Sequence, residues 1–68
     1  MNYAEQTIID FLKQSPDNFF ARKEIARKAV HRSEYEENPH WANAPLSALV
    51  GQNLVETDSS GSSFRIRP

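Results

Sequence analysis

The side chains best suited to chemistry in this 68-residue chain are its cations. Arg22, Lys23, Arg27, Lys28 and Arg32 crowd one short segment, and Arg65 and Arg67 alternate near the C-terminal end. Such clusters neutralise phosphate oxygens, Arg through its planar fork and Lys as a compact point charge. His31 and His40, with Glu34, Glu36 and Glu37, have the side-chain types of a metal site. Their spacing matches no ligand pattern, so neither a metal nor a cofactor is expected. The chain has no cysteine, hence no thiolate nucleophile and no disulfide. Its two glycines, Gly51 and Gly61, cannot form a glycine-rich phosphate loop. No catalytic residue is assigned, and an enzyme is not expected.

The balance of charge qualifies the phosphate reading. Eight Lys and Arg against nine Asp and Glu give a net charge of -1, so the chain as a whole does not attract a polyanion. Its distribution is uneven: residues 21–32 sum to +4, residues 33–37 to -3 and residues 62–68 to +2. Any anion contact therefore depends on which elements carry the basic segments.

At this length one core must serve the whole chain, and residues 1–68 are read as one domain. Ala4, Ile8, Phe11 and Leu12 recur at helical spacing, predicting a helix over 3–14 that ends at Ser15-Pro16-Asp17-Asn18. Phe19-Phe20-Ala21 suits a brief extended segment. Ile25, Ala26, Ala29 and Val30 then predict a second helix over 22–30. Residues 31–39 lose apolar periodicity, carry three glutamates and end in Asn38-Pro39, which predicts a solvated connection.

A third helix follows. Asn38 could cap it with Pro39 next, or Asn43 could cap it with Pro45 in the first turn. The earlier start puts Pro45 inside the helix at a cost of about 3 kcal/mol, so 44–52 is preferred, after a turn at 40–42. Leu46, Leu49 and Val50 would face the core. Residues 54–57 and 63–67 read as strands around a serine-rich tip, with Phe64 and Ile66 inward and Arg65 and Arg67 outward. Trp41 is expected to be partly buried, closing the core. Tyr3 and Tyr35 fall outside the stripes and are expected at the surface.

This order of helix, short strand, helix, helix and hairpin resembles the winged helix-turn-helix family. Phe20-Ala21-Arg22-Lys23-Glu24-Ile25-Ala26 looks like that family's strand and the start of its second helix. Leu46 through Glu56 looks like a recognition helix with a leucine-rich exit into the wing, and Phe64-Arg65-Ile66 resembles the second wing strand. The resemblance implies an α+β fold of three helices with a short strand and a C-terminal hairpin wing. It also implies binding of double-stranded DNA by a small transcriptional regulator. The third helix would then offer His40, Asn43 and Ser47 to base edges, while Arg22, Lys23, Arg27, Arg65 and Arg67 would meet phosphates.

The third helix departs from that pattern in carrying neither Lys nor Arg. The alternative is therefore a winged helix used for protein association, its cation-free helix and acidic loop engaging a protein partner or a second copy of the chain. Residues 1–12 include Glu5 and Asp10, unlike a signal peptide, and no run approaches the roughly 20 apolar residues of a membrane span. A cytoplasmic location without membrane contact is expected.

Overall fold

The computed structural model describes residues 1–68. In chain order the elements are α1 (Tyr3–Lys13), β1 (Phe20–Ala21), α2 (Arg22–Lys28), α3 (Arg32–Glu37), α4 (Asn43–Gly51), β2 (Val55–Thr57) and β3 (Ser63–Ile66). The fold is α+β, four helices with one three-stranded antiparallel sheet of order β1-β3-β2. No helix is long and apolar enough to cross a membrane.

Helix α1 starts where Asn2 caps it, its Oδ1 accepting from the Glu5 N–H at 2.8 Å. Ile8, Ile9 and Leu12 form its buried face, and the half-buried Phe11 packs on Phe20 with ring centroids 5.1 Å apart. That contact brings β1 alongside α1. Helix α2 has Ala21 at its N-cap, and Glu24 supplies the acceptor instead, taking the Ala21 N–H at 3.4 Å. Ile25 and Ala26 turn inward and the cations outward.

The connection expected over residues 31–39 contains a helix, so the expected three helices are four. Glu34, three residues into α3, accepts the His31 N–H at 3.2 Å, and Arg32 pairs with Glu36 at 3.1 Å. Only Tyr35 packs against the core, where a surface position was expected. One inward side chain on a six-residue helix leaves no periodic apolar stripe to read.

Helix α4 begins at Asn43, with Pro45 in the first turn as preferred, and buries Leu46 and Leu49 while Val50 is half-buried. It closes in a Schellman motif: the Leu54 N–H reaches the Leu49 carbonyl and the Asn53 N–H reaches Val50, both at 3.0 Å. Asn53 makes this possible by adopting φ 63, a left-handed conformation that Asn tolerates. The motif leaves Leu54 37% exposed and starts β2 at Val55.

Strand β3 is central, pairing Phe64 with Phe20 on one side and Arg65 with Glu56 on the other. Phe64 is buried and Ile66 half-buried against the core, as the alternation predicted. Ten apolar side chains from α1, α2, α4, the turn before α4 and the sheet form one core, with no buried polar or charged residue among them.

Candidate nucleic-acid interface

The cations of α2 point to solvent because Ile25 and Ala26 fix the inward face, leaving Arg22, Lys23, Arg27 and Lys28 exposed. They are not equivalent. The Arg22 guanidinium lies 5.3 Å from the Phe64 ring centroid, which draws it toward the sheet. Lys28 pairs with Glu24 at 3.3 Å along the same helix. Lys23 and Arg27 have no carboxylate within pairing distance and stand four residues apart on one face. Both line an open groove of about 930 Å³ between α2 and α3, together with Lys28 and Arg32.

The two arginines near the C-terminal end are placed differently. Arg65 sits opposite Glu56 in the β2–β3 ladder, donating from Nε to Oε2 at 2.7 Å and from its second nitrogen to the same oxygen. Its guanidinium also covers the Phe19 ring at 4.3 Å. Arg65 is thus half-buried and already partnered, whereas the alternation had aimed it at solvent. Arg67 lies past the end of β3, exposed and unpaired, its backbone N–H held by the Leu54 carbonyl at 3.0 Å. It borders a shallow groove with Lys13, Met1 and Leu54.

The three base-reading candidates gather at the start of α4. His40 is exposed in the preceding turn, where its carbonyl accepts the Asn43 N–H at 3.1 Å. Asn43 is half-buried at the first helical position, and Ser47 is exposed one turn later on the same face. The outward line of α4 is Ala44, Ser47 and Gly51, small and uncharged.

One bond ties this group to the cations of α2. The Trp41 indole N–H donates to the Ala26 carbonyl at 2.9 Å. That carbonyl lies in the last turn of α2, where no intrahelical donor remains, so the indole completes the helix end. Trp41 adjoins His40 and Ala26 adjoins Arg27, so the bond fixes one cluster relative to the other. The partial burial expected for Trp41 is what makes this link.

At the tip of the β2–β3 hairpin, the Asp58 carboxylate accepts from the Ser60 hydroxyl at 2.8 Å and from the Ser62 and Ser63 N–H groups at 3.2 and 3.3 Å. These donors, the Ser60 hydroxyl foremost, hold its carboxyl below the usual carboxylate range despite a smaller opposing effect of desolvation. Gly61, at φ 76, supplies the left-handed turn residue. No group of three or more His, Asp or Glu side chains converges as a metal-ligand set.

Sequence reasoning placed Lys28 and Arg32 in the basic cluster without seeing that Glu24 and Glu36 would pair with them, or that Glu56 would occupy Arg65. The i, i+4 spacings Glu24/Lys28 and Arg32/Glu36 were the available signals for the first pair. The hairpin register was the signal for the second. Compared with family models, with curated proteins and with solved structures, the chain matches none.

Proposed function

We propose that this chain is a winged helix-turn-helix domain that binds double-stranded DNA, with α4 as its reading helix and the β2–β3 hairpin as its wing. The observation that carries DNA binding is the pair Lys23 and Arg27, exposed, four residues apart and free of any carboxylate partner. Five of the eight cations are unpaired in this way, the others being Lys13, Arg22 and Arg67. The order of elements supports the winged-helix part, since the short strand before α2 joins the hairpin that follows α4. On this reading Asn43 and Ser47 face base edges with His40 beside them. Asn can pair bidentately with adenine, while affinity comes from phosphate contacts by Arg22, Lys23, Arg27 and Arg67. Arg65 would have to leave Glu56 and Phe19 to join them.

The test is fluorescence anisotropy on random and genomic duplexes between about 50 and 200 mM salt, where a few phosphate contacts change affinity steeply. Wild-type binding should weaken with salt. Asn43→Ala should relax sequence preference and leave the salt slope nearly unchanged. Absence of binding at the lowest salt overturns the proposal. A second reading, association with a protein or a second copy, is favoured by the uncharged outward line of α4 and by the exposed acidic side chains of α3. It predicts no duplex affinity and concentration-dependent sedimentation or loss of a partner when Trp41 or Tyr35 is altered.

A further inference from the structure

We infer that the groove between α2 and α3 seats a stretch of DNA phosphodiester backbone, with Glu36 and Glu24 as displaceable counter-charges that hold Arg32 and Lys28 until phosphate arrives. The inference rests on the DNA-binding reading above and assigns it a site outside the reading helix and the wing.

The groove presents Lys23 and Arg27 from α2 without partners, and Lys28 and Arg32 in pairs with Glu24 and Glu36. Four cations against two carboxylates leave it positive within a chain of net charge -1. Both pairs are loosely held. The Arg32 side chain is 90% exposed and Glu36 60%, while Lys28 and Glu24 are 61% and 46% exposed. Exposed i, i+4 pairs of this kind are weak, so a polyanion that releases counterions can replace the carboxylate at little cost. Glu24 has a second task, since it also accepts the Ala21 N–H, but Glu36 bonds nothing besides Arg32. Glu36 is therefore the residue at which the counter-charge can be removed cleanly.

The chemistry of the walls favours phosphate over an acidic protein. Ala21 and Tyr35 are the only hydrophobic residues lining the groove, and Tyr35 is half-buried against the core. Protein partners are gripped through buried aromatic or aliphatic anchors, for which this groove offers no pocket. A phosphate backbone needs only cations that are spaced and reachable.

The experiment compares the wild-type chain with Glu36→Gln, Glu37→Gln and the double variant Lys28→Ala/Arg32→Ala, by anisotropy on a labelled random duplex over a salt series. Circular dichroism establishes that each variant is folded. Glu37 lies on the same helix but does not line the groove, so Glu37→Gln controls for net charge. Glu36→Gln should tighten binding about three- to tenfold near 50 mM salt, beyond any change in Glu37→Gln, and steepen the salt slope by up to about 0.9. Lys28→Ala/Arg32→Ala should weaken binding and make the slope shallower. Wild-type binding with Glu36→Gln matching Glu37→Gln, or with the double variant matching wild type, overturns the groove assignment and leaves the DNA reading standing. No duplex binding by the wild type overturns both. A poly-glutamate peptide that binds the groove variants in this rank order, with no duplex binding, would identify an acidic protein as the occupant instead.

Discussion

Replacing Leu49 with Ala tests whether α4 is held by the core in the way its burial implies. Leu49 is fully buried, and Ile8, Leu12, Ile25, Leu46 and Val55 each have at most 1% of their surface exposed. Alanine is at least as good a helix former, and the backbone bond from Leu54 N–H to the residue 49 carbonyl does not need the side chain, so packing alone changes. The loss combines the transfer energy of the deleted carbons with a cavity that such tightly packed neighbours cannot refill, about 3 to 5 kcal/mol. A chain of this size is stable by only about 3 to 10 kcal/mol, so the variant should be close to unfolding. At about 4 to 8 °C per kcal/mol, its melting temperature should fall by more than about 12 °C. Leu54→Ala, at a site 37% exposed, should lose less than half as much. Thermal and urea melts followed by circular dichroism measure both. A Leu49→Ala melting temperature within a few degrees of wild type, or equal losses at the two sites, would refute the packing argument.

Trp41→Phe removes the donor that completes the end of α2 and should cost about 1 to 2 kcal/mol in the same melts. Because that bond orients His40 and Asn43 against Arg27, the variant should also lose DNA affinity under conditions where it is fully folded. Arg67→Ala should reduce the salt slope of DNA binding by about one unit, whereas Arg65→Ala should leave the slope nearly unchanged in anisotropy titrations. It should instead lower stability by about 1 to 2 kcal/mol through loss of the Glu56 and Phe19 contacts. For Asp58 the folded-state pKa is depressed, so its contribution to hairpin stability is present above the unfolded carboxylate value near 4 and lost as pH falls through the folded one. The melting-temperature difference between wild type and Asp58→Ala should accordingly be full at neutral pH and shrink on acidification below about pH 4.

The elements that were legible in the sequence are those whose signal is local and periodic. Ile8, Leu12, Ile25 and Leu46 announce their helices because each helix buries a stripe, and Phe64 announces its strand because burial alternates with the pleat. Helix α3 escaped because only Tyr35 packs against the core, and its other features, Glu34 at its start and the Arg32–Glu36 pair, look like the charged composition of a loop. Arg65 shows the other limit. Alternation correctly put it on the face opposite Phe64, but that face is not empty, since Glu56 stands across the ladder and Phe19 precedes β1. The Glu56 contact is set by the local hairpin register, but the Phe19 contact depends on the strand order β1-β3-β2, a long-range property that no sequence window contains. The candidate base-reading residues His40, Asn43 and Ser47 follow from the winged-helix resemblance, which implies that the outward side of the third helix carries them. Their tie to α2 depends on Trp41 reaching the single carbonyl of Ala26, and nothing local announces that bond.

The central position of β3 also sets the order in which the molecule can be made. Both β1 and β2 find their hydrogen-bond partner in β3, which follows every other element along the chain. During synthesis the helices can form and collapse as they emerge, but the two outer strands have no partner until Phe64 and its neighbours appear. Pairing Phe20 with Phe64 then closes a loop containing most of the chain, an entropic cost that the local β2–β3 hairpin does not carry. Addition of β1 to the hairpin should therefore be the slow, late step of folding. A nascent chain halted at Thr57 would present unpaired β1 and β2 segments beside an unsealed core, the form most open to chaperones and proteases.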